Sequence, residues 1–242
     1  MPPPLRLPCA ALLAVLATVA PGLAAEPLPF GAAGAAPAAP WQWIGLPHQS
    51  KPRTLFSVVD LDGHRALRVE SDKAYGNLVH AVPAGSQHGH LAWQWRMERL
   101  NEAADLRTRE GDDTSLKVCV LWDLPLDKLP FLDRQLLRVA RAAAAQPLPA
   151  ATVCYVWDAH LSEGTVLASA YPRRLRYLVL RSGNAALNTW TAERRDIGAD
   201  FLQLFGDESR QLPPLLALGV GADTDNTRAH SVGYVADLAW SP

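Results

Sequence analysis

From Leu215 to Trp240 the chain reads LLALGVGADTDNTRAHSVGYVADLAW, with apolar side chains at alternate positions on both sides of an acidic turn. Leu216, Leu218 and Val220 alternate with smaller residues before the turn, and Val232, Tyr234, Ala236, Leu238 and Trp240 alternate after it. A period of two marks strands with one face against a core. The same signature opens the chain: β-forming runs cover 41–46, 54–61, 65–71 and 78–82, and Asp62-Gly63 between the second and third is a hairpin signal. Leu91, Trp93, Trp95 and Met97 then alternate with Ala92, Gln94, Arg96 and Glu98, and further strands are predicted over 114–123, 152–158, 165–168, 175–181 and 187–194.

Helical spacing interrupts this pattern twice. Over 127–146, Leu129, Leu132, Leu136, Leu137, Val139 and Ala140 form an apolar stripe beside Arg134, Arg138 and Arg141, which predicts an inserted helix capping the open end of a sandwich. Over 198–205 a short helix is expected, N-capped by Asp196, ended by Gly206 and burying Phe201 and Phe205. The expected fold is therefore mainly β, an antiparallel β-sandwich with one inserted and one short helix.

Composition adds a compartment and excludes some partners. The chain has 242 residues, 49% of them hydrophobic, enough for one core, so a single domain is expected over 41–242. Residues 1–25 carry Arg6, an apolar run of about 12 residues, a Pro21-Gly22 break and a small-residue ending, the pattern of a cleaved secretory signal. That run is short of the ~20 residues needed to span a bilayer, so a soluble periplasmic protein is expected. Without the leader, 22 basic residues face 24 acidic ones, and a net charge of -2 gives no footprint for nucleic acid or anionic lipid. Residues 26–40, rich in Ala, Pro and Gly, read as a flexible lead-in. Cys119 and Cys154 each fall in a strand; the default expectation is two small buried hydrophobes, and the alternative is a bridge that an oxidising compartment would permit.

The candidate chemistry lies in three charged segments. One is the loop 101–113, NEAADLRTREGDD, with Asp105, Arg107, Asp112 and Asp113. The second is a strand pair bearing Arg181, Arg194, Arg195 and Asp196, and the third is the final turn with Asp223, Asp225 and Asn226. Convergence of the three would give each carboxylate an arginine fork, as a structural network or as a polar binding site. Asp113, Arg195 and Asp225 are expected to meet. Asp223 and Asp225 could instead hold a structural Ca²⁺. Trp93, Trp95, Trp122 and Trp157 are either core or, for one or two of them, a sugar-stacking platform. His88 and His90 have strand spacing for a metal pair but no third ligand at a telling distance, so they read as a solvated loop pair.

Several short segments, taken in order, resemble one family. They are Trp93-x-Trp95-Arg96, Ala104-Asp105-x-Arg107, Gly111-Asp112-Asp113, Tyr155-Val156-Trp157, Arg181-Ser182-Gly183, Glu193-Arg194-Arg195-Asp196, Asp200-Phe201, Phe205-Gly206 and Asp223-Thr224-Asp225-Asn226-Thr227. Together they resemble the bacterial exported proteins catalogued as domain of unknown function 3047. Lys117 stands where that resemblance leads us to expect arginine, and Gly221-Ala222 where it leads us to expect Met-Thr. The resemblance implies an exported, β-rich protein and no particular reaction. The ending Gly-Tyr-Val-Ala-Asp-Leu is similar to the last strand of jelly-roll carbohydrate-binding domains, which makes the expected sandwich jelly-roll-like, of the galactose-binding kind. Two functions follow as expectations. The first is a binding module for a saccharide or envelope glycan, with Arg96 on a polar strand face and the charged segments as ligand contacts. The second is a polysaccharide hydrolase or lyase using two carboxylates from Asp105, Asp112, Asp113, Glu193 and Asp225.

Overall fold

The computed structural model describes residues 25–46, 49–86, 88–143, 148–171 and 174–241; the expected leader thus falls almost wholly outside the described residues. Thirteen strands are described: β1 Glu26–Pro27, β2 Gln42–Ile44, β3 Leu55–Leu61, β4 His64–Asp72, β5 Tyr75–Ala81, β6 His90–Arg99, β7 Thr114–Trp122, β8 Ala151–Asp158, β9 Val166–Ala168, β10 Leu175–Ser182, β11 Thr191–Asp196, β12 Leu215–Asp223 and β13 His230–Ser241. Helix α1 spans Phe131–Ala143 and α2 spans Ile197–Phe205.

The strands form two sheets. One runs β11-β6-β13-β4-β3, with β1 also paired to β13; the other runs β2-β5-β12-β7-β8-β10-β9. All pairings are antiparallel except that of β8 with β10, so the second sheet is mixed. The predicted hairpin joins β3 to β4, and both turn residues, Asp62 (φ 51) and Gly63 (φ 84), are left-handed, the conformation that matches the twist of two adjacent strands.

The facing residues of the two sheets fill one core. On the first sheet they include Val58, Leu67, Val69, Leu91, Trp93, Trp95 and Met97; on the second, Leu116, Val118, Val120, Trp122, Tyr155, Trp157, Leu178 and Val220. Tryptophans span the gap: Trp93 meets Tyr155 at 5.3 Å and Trp95 meets Trp157 at 5.8 Å between ring centroids. All four tryptophans considered as a sugar platform are buried here, because a ring of that size gains most by complete removal from water. Helix α2 covers one edge of this core with Ile197, Phe201, Leu204 and Phe205, and its predicted cap is present, with Asp196 accepting from Ala199 N at 2.9 Å.

Four expectations change. Residues 26–40, though mostly exposed, are tied to the sandwich and are not a free lead-in: β1 pairs with β13, Gly34 N donates to Val58 O at 2.8 Å, Phe30 is buried against Trp41, and Trp41 Nε1 donates to Pro29 O at 3.0 Å. Cys119 and Cys154 form a disulfide, since they sit directly opposite each other on adjacent strands β7 and β8. Strand β11 starts at Thr191 rather than 187, because Asn188 takes a left-handed conformation (φ 61) inside a turn. Finally, the stripe of α1 does not cap the sandwich: Leu136 is 70% exposed, and the core takes Leu129 and Leu137 instead. Among the described residues, no helix is long and apolar enough to cross a membrane.

Candidate functional site

Strand β7 is buried along nearly its whole length, on both faces. Its even-numbered residues Leu116, Val118, Val120 and Trp122 enter the main core, so Lys117 and Cys119 point to the outer face of the second sheet. Tyr75 on β5, Gly221 and Asp223 on β12 and Tyr177 on β10 share that face by the same alternation. The loop 101–113 folds over part of it. Leu106 from that loop joins Cys119, Cys154, Val156, Tyr177 and Val179 in a second apolar cluster. The loop closes on itself where Asp105 N donates to Gly111 O at 2.8 Å, and a Cβ at Gly111 would lie 2.7 Å from Asp105 N, so the closure needs glycine.

Beside this cluster lies a cavity of about 410 Å³ whose floor includes Lys117, Tyr177 and Asp223. Lys117 Nζ donates to Asp223 Oδ2 at 2.9 Å, with side-chain exposures of 4% and 8%. Asp223 Oδ1 accepts from both Thr114 N, at 2.6 Å, and Thr114 Oγ1. Burial pushes the Lys117 ammonium down, but Asp223, backed by Tyr75 and Asp112, holds it above its ordinary value, and it stays charged. Gly221 lies opposite both Lys117 and Asn77; a Cβ there would sit 2.3 Å from Asn77 Oδ1.

Asp112 forms one wall, accepting from Ser169 Oγ at 2.5 Å, Tyr177 OH at 3.0 Å and Tyr171 N at 3.3 Å. Burial raises the phenol pKa of Tyr177 well above its ordinary value, with the Asp223 and Asp112 charges adding to the shift. Burial raises that of Tyr75 too. Both remain neutral hydrogen-bonding phenols around neutral pH. Tyr171 stands at the rim, 54% exposed, with the Arg109 guanidinium 5.5 Å from its ring centroid. The opposite rim carries Leu46, Lys51, Asp225 and Asn226, with Lys51 Nζ 3.4 Å from Asp225 Oδ2.

The final turn is fastened to the charged loop by Asp113, which accepts from Asn226 N at 3.3 Å, Thr227 N at 2.8 Å and Thr227 Oγ1 at 2.6 Å. Asn226 Nδ2 also donates to Asp112 O at 3.1 Å. Burial pushes the Asp113 carboxyl up and the nearby Asp223 charge adds to that, against the hydrogen bonds from Thr227 and Asn226.

The family model described as protein of unknown function (DUF3047) matches residues 39–239. The chain belongs to that family. No curated protein matches this DUF3047 chain. Among solved structures it is similar to the xyloglucanase domain of NopAA, a type three effector from Sinorhizobium fredii in complex with cellobiose, at 10% identity and a TM-score of 0.45, over 84% of this chain and 94% of that one. It is similar to the family 11 carbohydrate-binding module of the cellulosomal cellulase Lic26A-Cel5E of Clostridium thermocellum, at 6% identity and a TM-score of 0.44, over 91% and 96%. A third is Trichoderma harzianum endoglucanase 3 from family GH12, at 8% identity and a TM-score of 0.41, over 85% and 99%.

The DUF3047 domain brings together Asp112, Asp113, Asp223, Asp225 and Asn226, and leaves the other predicted residues apart. Asp105 and Arg107 pair with each other at 2.7 Å on the surface, two residues apart in one turn. Arg96 lies on the outer face of the first sheet, 5.5 Å from the Tyr234 ring centroid and 3.7 Å from Asp62. Arg181 pairs with Glu193 at 2.7 Å, and Arg194 is exposed on β11. Arg195 does not meet Asp113 or Asp225. It donates to Asp200 at 2.9 and 2.5 Å, where Tyr155 OH also donates at 2.7 Å, because α2 brings Asp200 back over β11 and β8.

For calcium, Asp223 and Asp225 are each bonded to an ammonium group, and no group of three or more His, Cys, Asp or Glu among the described residues is arranged for a metal. His88 bonds Pro213 O at 2.7 Å and stacks on Trp122. Sequence reasoning missed Lys117, Tyr75, Ser169, Tyr171 and Tyr177. For Lys117 a signal was present: a lone charge in an otherwise apolar strand, out of phase with the core residues.

Proposed function

We propose that this DUF3047 domain is a non-catalytic saccharide-binding module whose site is the Lys117–Asp223 cavity. The observation that carries this reading is the meeting, in one open cavity, of tyrosine rings with polar groups already locked in place. Sugars present apolar C–H faces and directional hydroxyls, and both features are matched here. Tyr171 supplies an exposed ring at the rim, while Lys117 retains N–H donors beyond the one given to Asp223. The carboxylates support binding over hydrolysis. A glycoside hydrolase needs one carboxyl free to give a proton and another free to attack or to activate water. Asp112, Asp223 and Asp225 already hold partners in the cavity, and Asp113 fastens the final turn.

The charge of the walls narrows the ligand. Three carboxylates, Asp112, Asp223 and Asp225, face two ammonium groups, Lys51 and Lys117. A uronate or sulfated sugar would add a negative charge to that excess, so the ligand class is a neutral or amino-bearing glycan. The secretory pattern of residues 1–25 and the Cys119–Cys154 disulfide support a periplasmic setting, where an envelope glycan is available.

The test is a glycan array followed by calorimetry with the wild type and Tyr171→Ala. The expected result is retention of neutral or amino glycans, no retention of uronates, and an affinity loss of about tenfold for the variant, the scale of one lost ring contact. Uronate preference, or equal affinity in Tyr171→Ala, would overturn the reading.

A further inference from the structure

The Lys117–Asp223 cavity keeps its unused hydrogen-bonding groups at two levels. On the floor, the Lys117 side chain is 4% exposed, and of its three N–H groups one is given, to Asp223 Oδ2. No acceptor among the described residues takes the other two. Tyr75 OH accepts from Asn77 Nδ2 at 3.4 Å and donates to none of the described residues. These donors are neighbours, since Lys117 Nζ lies 5.7 Å from the Tyr75 ring centroid. At the rim the surplus is an acceptor. The Asp225 side chain is 11% exposed, Lys51 Nζ lies 3.4 Å from its Oδ2, and its Oδ1 has no partner among the described residues. The charges of Lys117, Asp223 and Asp225 all act on the Tyr75 phenol, so floor and rim are close enough for one small group to touch both. Leu175 and the tyrosine rings make the same cavity partly apolar.

A buried donor or acceptor left unmatched costs about as much as a lost hydrogen bond. The cavity therefore suits a ligand group that brings an acceptor to the floor, a donor to the rim and an apolar part to the wall. We propose that this group is the acetamido group of an N-acetylated amino sugar; the proposal rests on the saccharide reading above and narrows it. An acetamide carries its acceptor and its donor on different atoms and adds a methyl group. Its carbonyl oxygen accepts from Lys117 and from the Tyr75 hydroxyl, its N–H donates to Asp225 Oδ1, and its methyl lies against Leu175.

The alternatives match less of the cavity. A free amino sugar is an ammonium near neutral pH: it has donors for Asp225, but it brings a positive charge towards Lys117 and offers no acceptor. A sugar hydroxyl serves the floor or the rim and leaves the apolar wall unfilled. A carboxylate accepts from Lys117 but has no donor for Asp225 and is repelled by it. Both ends of the site are also held before any ligand arrives. Thr114 N donates to Asp223 Oδ1 at 2.6 Å, and the turn that carries Asp225 is fastened by the 2.8 Å bond from Thr227 N to Asp113. Binding to a site held in this way orders few side chains.

The test is calorimetry on the full chain with tetrasaccharides of N-acetylglucosamine, glucosamine and glucose that share one linkage. N-acetylglucosamine is expected to bind about tenfold more tightly than glucose, the scale of one hydrogen bond to a charged group, and glucosamine is expected to bind weakest. Asp225→Ala and, separately, Tyr75→Phe should each remove most of the preference for N-acetylglucosamine over glucose. Saturation-transfer NMR should mark the acetyl methyl as the most closely held protons of the ligand. Affinity for N-acetylglucosamine no greater than for glucose or glucosamine, or a preference that survives both substitutions, would overturn the acetamido assignment and leave the saccharide reading in place. Retention of no glycan of any class would overturn the saccharide reading itself.

Discussion

Lys117 and Asp223 show how a strand designed by period two carries a site. The ammonium is placed among apolar neighbours, and only its partner makes that tolerable: a buried charge without a counter-charge must be desolvated or lose its ionisation. Lys117→Met leaves the Asp223 carboxylate without that partner and should cost about 3–5 kcal/mol in urea unfolding. Lys117→Met combined with Asp223→Leu should recover most of that loss, because no buried charge is left unpaired. If the double change is as damaging as the single one, the pair is holding the site by shape rather than by charge. Asp113 gives a pH test. Its native-state pKa is raised, chiefly by burial, so between the unfolded value of about 3.9 and the raised native value the folded protein keeps a proton that the unfolded chain has lost. Its contribution to stability is then full below that window and declines as pH rises through it. The stability of the wild type relative to Asp113→Asn, which does not ionise, should fall with rising pH across this window. A flat or rising difference would show that Thr227 and Asn226 outweigh burial.

At the scale of elements, the disulfide ties β7 to β8 on the outer face, in register with Tyr177 on β10. It closes a loop of 35 residues that includes α1, which in the chain-entropy view restricts the unfolded state by about 3–4 kcal/mol. Replacing both cysteines with alanine should lower the unfolding free energy measured in urea by that amount, and reduction of the wild type should match it. Helix α2 is fastened differently. Arg195 is about one-third exposed while Asp200 is nearly buried, so Arg195→Ala should cost about 2 kcal/mol, below the loss from a fully buried pair. Because Arg195 and Asp225 share no partner, Arg195→Ala and Asp225→Ala should add to within about 0.5 kcal/mol. A clear coupling between them would join two regions that the fold keeps apart.

At the scale of the whole molecule, the two sheets divide the labour. The first sheet and the inner face of the second make the core, and the outer face of the second presents the site. The turn between β12 and β13 carries the chain from one sheet to the other, and Asp113 fastens it there. Since Asp223 and Asp225 are held by ammonium groups, a chelator should leave both the melting temperature and glycan affinity unchanged. A loss of affinity in EDTA that calcium restores would return the final turn to metal binding.

The sequence by itself determined the β-sandwich, the β3–β4 hairpin, the cap of α2 and the family, because alternation, turn residues and capping are set by neighbours a few positions apart. The aspartates of the site were also legible as a dense cluster. What only the tertiary structure decided was which partner each charge takes. Arg195 goes to Asp200 and not to Asp225, since the partners of a long cation depend on where α2 lies, and that is fixed by Phe201 and Phe205 in the core. The orientation of α1 was decided in the same way: its periodicity gives a stripe, but the bonds of Arg134 and Arg141 turn that stripe to solvent. Lys117, Tyr75 and Tyr177 become neighbours only through the pairing of β5, β12, β7, β8 and β10, strands up to about a hundred and fifty positions apart in sequence. Local patterns determine which face a residue takes; the order of strands determines what it meets there.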